Sequence, residues 1–110
     1  MPLHAIWLAR EPLDMRAGPE TALARVIHTF GAATPHHAYV FSNKRCNRIK
    51  ILVCDSFGLW LAARRLHKGR FVWAPLREGE PLGLSQEQLN ALVLGLPWQY
   101  ARADFAIGQQ

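Results

Sequence analysis

Between residues 38 and 73 the chain is cut at short intervals by polar turn-formers. They are Ser42-Asn43-Lys44-Arg45-Cys46-Asn47, then Asp55-Ser56-Phe57-Gly58, then His67-Lys68-Gly69. Asn, Asp, Ser and Gly favour turns, through local side-chain hydrogen bonds or tolerance of positive φ. The pieces left between them are residues 38–41 (AYVF), 48–54 (RIKILVC), 59–66 (LWLAARRL) and 70–73 (RFVW). The first and last read as strands, and RIKILVC as a β-branched strand. LWLAARRL suits either state, and the tight turns on both sides decide for a strand. The pattern predicts a four-strand antiparallel meander. Period-two alternation places Arg48, Lys50, Leu52 and Cys54 on one face of its second strand, and Ile49, Ile51 and Val53 on the other.

Helical periodicity flanks this stretch on both sides. Gly18-Pro19-Glu20 opens a helix, with Pro at the first helical position and an acid near its positive end. Leu23, Val26, Ile27 and Phe30 form its apolar stripe, and Gly31 ends it. Ser85 and Gln88 match a capping box, followed by a stripe of Leu89, Leu92, Val93 and Leu96 that Gly95 and Pro97 stop. Residues 4–9 (HAIWLA) read as a short apolar strand, and 74–84 as a loop rich in Pro and Gly. The fold class expected is α+β: an antiparallel four-strand meander with two main helices packed on one face and the charge on the other. Ile51 and Leu89 belong to its core. Residues 1–98 make a single domain, and 99–110 a frayed tail without clear period.

A chain of 110 residues suits one core, and 50% apolar against 19% charged residues excludes wholesale disorder. No apolar run reaches the roughly 18 residues of a membrane span. The first residues, MPLHAIWLAREP, show no basic-then-apolar leader, so a cytoplasmic protein without a membrane partner is expected. Cys46 and Cys54 are then expected as free thiols, Cys46 in a turn and Cys54 in the core. They lack the spacing of a zinc site.

Charge is the chief functional signal. The balance is 13 Lys+Arg against 8 Asp+Glu, and it is uneven. Between residues 44 and 70 stand Lys44, Arg45, Arg48, Lys50, Arg64, Arg65, Lys68 and Arg70, with Asp55 as the lone acid. The rest of the chain is slightly acidic. Such a stretch is either a solvated face that aids solubility or the footprint of a polyanion, and the scarcity of acids favours the latter. These eight residues are the expected DNA contacts, with Arg48, Lys50 and Arg64 on a common strand face. Aromatics are interleaved with them: Phe41, Phe57, Trp60, Phe71 and Trp73. They can stack on unpaired bases, but a core this small needs large residues, and core packing is the preferred reading. Trp7 and Trp98 are likewise expected to pack.

Catalytic and metal motifs find little support. Glu11, Asp14 and Asp55 are conceivable metal carboxylates, yet Asp14 is better placed to cap a short helix or pair with Arg16, and Asp55 to open a turn. His36, His37 and His67 have no companion ligands at useful spacing. Ser56 has no nucleophile-elbow context, and no Gly-rich loop suggests phosphate cradling. A non-enzymatic protein without cofactor or metal is expected.

The order of Asp14-Met15-Arg16, then Arg48-Ile49-Lys50-Ile51-Leu52 with Asp55 and Gly58, then Arg65-Leu66, Lys68-Gly69-Arg70-Phe71 and Trp73, then LSQEQLNALVLGLPW, resembles a known family. It is similar to the TnpB accessory protein, the second-open-reading-frame product, of IS66-type bacterial insertion sequences, over residues 6–98. Three places depart from the family pattern: Arg64 where Lys is usual, His67 where Glu is usual, and Ala17-Gly18-Pro19 after the DMR triplet. The resemblance implies an accessory role in transposition beside a separate transposase, and no established catalytic residues. Two functions follow as expectations. One is salt-sensitive contact with DNA through the basic sheet face; the alternative is an adaptor that docks on the transposase without binding DNA.

Overall fold

The computed structural model describes residues 3–73 and 82–100. In chain order the elements are β1 (Ala5–Leu8), α1 (Pro19–Phe30), β2 (His37–Ser42), β3 (Arg48–Cys54), β4 (Leu59–Arg65), β5 (Leu82–Leu84) and α2 (Gln86–Val93), with a closing 3-10 turn at Trp98–Tyr100. The class is α+β, and the sheet is mixed, in the order β4-β3-β2-β1-β5. β2, β3 and β4 run as an antiparallel meander through the first two turns read from the sequence. β1 lies parallel to β2, from Ala5 opposite His37 to Leu8 opposite Val40. Parallel neighbours need a long crossover, and α1 supplies it. β5 closes the far edge, antiparallel to β1.

The expected meander is therefore corrected at both ends. Residues 70–73 form no strand, because Phe71 turns into the core and its N–H donates to Cys46 O at 2.6 Å. β4 is thus an edge strand, and the sheet instead extends beyond β2 through β1, and through β5 from a stretch read as loop. Residues 74–81 of that loop lie outside the described residues, as does most of the tail (101–110). Its first residues, Gln99 and Tyr100, continue the 3-10 turn anchored by buried Trp98.

The helices also differ from expectation: they cover opposite faces of the sheet. α2 packs Leu89 and Leu92, with Trp98, against Ile6, Leu8, Ala38, Val40 and Ile49. α1 packs Ala22 and Val26 against Tyr39, Phe41, Leu52 and Cys54. The physical reason lies in β2, where five successive residues from Ala38 to Ser42 are buried. A strand apolar on both faces must be covered on both, each large side chain withdrawn from water stabilising by about 1.5–3 kcal/mol.

Local signals place both helices where the sequence puts them. Pro19 starts α1, and Gly31 ends it at φ +87°, its N–H donating to Ile27 O. Ile27, expected in the stripe, is half-exposed, and Ala22 faces the sheet instead. In α2 the Ser85 hydroxyl accepts from the Gln88 N–H, while the Gln88 side chain accepts from the Ser85 N–H. Leu96 lies beyond the end of α2 and is exposed. Leu89 is a core residue as expected, whereas Ile51 is half-buried at the rim of the α2-side core. The indoles that pack inward have partners: Trp7 donates to His37 Nδ1, Trp73 to Ala9 O and Trp98 to Val72 O.

Candidate nucleic-acid interface

The β2–β3 turn is held by one side chain. Asn43 Oδ1 accepts from the N–H groups of Asn47 and Arg48, and its Nδ2 donates to Asn47 Oδ1 at 2.7 Å. Cys46 takes the left-handed conformation at φ 56°. This frame presents Lys44 and Arg45, both exposed. The segment after β4 is tied to the same turn, since Leu66 N donates to Asn47 O and Phe71 N to Cys46 O. Those two bonds bring Lys68 and Arg70 to the same end of the sheet, and Arg65 stands directly across from Arg48 in the β3–β4 register. Six of the eight expected residues, Lys44, Arg45, Arg48, Arg65, Lys68 and Arg70, are thus exposed at one end of the molecule.

The other two have structural partners. Lys50 is half-buried, and its Nζ donates to Ala17 O at 2.7 Å, pinning the start of α1 to the sheet. Arg64 lies opposite Ile49, on the α2 face, so the expected common face of Arg48, Lys50 and Arg64 is corrected. Adjacent strand residues point to opposite faces, and the register gives the place beside Arg48 to Arg65. Arg64 Nη1 instead donates to Val93 O, a cation at the negative end of α2.

The sequence reading missed Arg16. Residues 12–17 cross this same end, held by the bond from Leu13 N to Ser42 O and by Arg25 donating to Pro12 O. Asp14 pairs with Arg16 side-on: Nη2 lies 2.7 Å from Oδ2, Nε lies 3.1 Å from Oδ1, and the Arg16 N–H donates to Oδ1 as well. These bonds lower the Asp14 pKa from its usual 3.8 to about 2, the side-chain bonds most. Arg16 is nonetheless 90% exposed. Between this loop and the β2–β3 turn lies an open cleft of about 430 Å³. Pro12, Met15 and Arg16 line one wall, Lys44, Arg45 and Arg48 the other. The Asp–x–Arg spacing was the available signal, but only the fold carries it to the basic turn.

The remaining candidates fall elsewhere. Asp55 Oδ1 accepts from the N–H groups of Phe57 and Gly58, which hold its pKa below the ordinary value and make it a turn residue, as expected. Cys46 sits in a turn and Cys54 is buried, both free, with burial pushing the Cys54 thiol pKa up. Among the described residues no three His, Cys, Asp or Glu side chains converge as a metal site. Phe41 and Phe71 are core and Trp73 packs against it, but Phe57 and Trp60 are 100% and 62% exposed on the β3–β4 hairpin. Core packing is thus corrected for those two: they stand at and beside the β3–β4 turn next to an edge strand, exposed among the described residues. No helix among the described residues is long and apolar enough to cross a membrane.

Residues 4–103 match the profile of the IS66 Orf2-like proteins. The chain belongs to the IS66 Orf2-like family. Two relatives in Sinorhizobium fredii are similar along most of their length. The uncharacterized protein y4jC is 33% identical over 95 residues, 84% of this chain and 80% of its own. The uncharacterized protein y4hO is 31% identical over 96 residues, 86% and 83% of the two chains. No solved structure matches. Membership ties this IS66 Orf2-like protein to transposition in an accessory role, in a family not known as catalytic.

Proposed function

We propose that this protein is a non-enzymatic transposition accessory factor that contacts DNA through the basic end of its sheet. The observation that carries the reading is the backbone tie between the β2–β3 turn and the segment after β4. It fixes six exposed cations from two separate stretches at one end, while the nearby acid, Asp14, is already paired. Cations so grouped meet successive phosphates and release their counterions, without needing any base contact. If about four phosphates are neutralised, log K falls against log salt with a slope near −3.6 on duplex DNA.

The test replaces Lys44, Arg45, Arg65 and Lys68 together by Gln. These side chains are exposed, so the variant keeps its melting temperature while its affinity for duplex DNA drops and the salt slope flattens. Wild-type failure to bind duplex at low salt, or a variant that binds as wild type does, overturns the reading.

A second reading is the transposase adaptor, and the exposed Phe57 and Trp60 favour it. Exposed apolar side chains mark interaction surfaces, and aromatics are enriched in protein–protein interfaces. They stand at the far end of β4 from Arg65, so one chain has room for both roles. Replacing both aromatics by Ala should abolish transposase capture and spare DNA binding if the adaptor role is real.

A further inference from the structure

We infer that the cleft between residues 12–16 and the β2–β3 turn holds an unpaired nucleotide of single-stranded DNA, with Asp14 as the residue that positions Arg16 for it. The inference rests on the DNA-binding reading and names a finer occupant for part of the same surface.

Shape separates the cleft from its surroundings. Lys68 and Arg70 are exposed on the segment after β4 and do not line the cleft, so a duplex backbone can lie against them outside it. The cleft is concave, and about 430 Å³ is room for one nucleotide but not for a double helix. Its two walls differ in chemistry. Lys44, Arg45 and Arg48 on one side suit the phosphate. On the other, Pro12 and Met15 offer apolar surface, and Arg16 offers a guanidinium plane. Bases stack on such planes as they do on aromatic rings.

The Asp14–Arg16 pair makes sense on this account. A surface arginine whose only task is to attract phosphate gains nothing from a neutralising carboxylate two residues away. Asp14 removes the net charge of Arg16 but fixes its plane, because Nε and Nη2 are both engaged while the group stays 90% exposed. Two of its five N–H bonds are used, leaving three to donate to a ligand. The loop under the pair is also held: Lys50 Nζ grips Ala17 O, and Ala17 N donates to Asp14 O. The arrangement trades long-range attraction for a pre-set orientation, which reduces the ordering cost of binding.

This division of labour predicts opposite signs for one substitution on two ligands. Fluorescence anisotropy is measured with labelled oligothymidine and with a blunt duplex of equal length, using the full chain. Asp14→Asn removes a negative charge, so duplex binding tightens. It also frees the Arg16 plane, so single-strand binding weakens at least about fivefold, the lower end of what one stacked base contributes. Arg16→Lys keeps the charge and loses the plane, and it should also weaken single-strand binding. Melting temperatures near wild type verify that both variants fold.

Parallel changes on the two ligands, in either direction, overturn the nucleotide cleft. So does a wild-type protein that binds duplex but not oligothymidine, a result that leaves the DNA-binding reading standing. Failure to bind either ligand removes both.

Discussion

A carboxylate beside an arginine on a surface loop usually stabilises a protein little, because both groups are solvated. Asp14 and Arg16 are such a pair, and their interest lies in orientation rather than stability. The pair still leaves a pH signature. The folded-state pKa of Asp14 is depressed from 3.8 to about 2 by Arg16. A depressed carboxylate contributes stability that is complete above its unfolded value and lost as pH falls through its folded value. The melting-temperature difference between wild type and Asp14→Asn should therefore be constant above about pH 5 and shrink below 3.8. It should be mostly lost by about pH 2 and gone only below that value, and a difference that instead grows on acidification contradicts the pairing.

At the scale of elements, short segments are held by few bonds, and those bonds are individually testable. α2 has only eight residues, too few to be stable alone. Its start depends on the reciprocal bonds of Ser85 and Gln88, and its end is gripped by Arg64 at Val93 O. Ser85→Ala should cost about 0.5–2 kcal/mol, read as a lower urea midpoint with an unchanged slope. An unchanged midpoint means that α2 is held in place by packing alone. β4 illustrates another element-level constraint. It is an edge strand whose first five residues are apolar, and Arg64 and Arg65 at its end discourage pairing with other chains.

For the whole molecule, the decisive property is a sheet covered on both sides. Val26 of α1 and Leu92 of α2 are each fully buried, in cores separated by the sheet. Leu92→Ala should cost about 2–5 kcal/mol, with a smaller loss for Val26→Ala because less side chain is removed. The double variant should lose the sum to within about 0.5 kcal/mol, since the sites share no partner. A strong interaction term from chemical denaturation would mean that the two helices share one core. The two-sided cover also leaves the sheet's end, rather than its face, as the place for concentrated charge.

Most of the elements were legible in the sequence, the strand at 82–84 and the non-strand at 70–73 excepted. Pro19 and Gly31 bracket α1, Ser85 and Gln88 start α2, and Asn43 and Asp55 mark the turns of the meander, because capping and turn formation depend on bonds a few residues apart. Family membership was legible too, from motifs in a characteristic order. The arrangement was not. That β1 runs beside β2, that residues 82–84 form a strand while 70–73 do not, and that the helices take opposite faces all depend on pairings tens of residues apart. The uninterrupted apolar run of β2 was the one local hint of two-sided burial. The same limit governed the candidate site. Charge counting found the eight basic residues, but only strand register could separate Arg64 from Arg48 and give that place to Arg65. Only tertiary packing could turn Lys50 into an anchor and bring Arg16, nearly thirty residues away in sequence, to the wall facing Lys44. Composition and spacing record which groups a chain carries, whereas the folded backbone decides which of them face the same water.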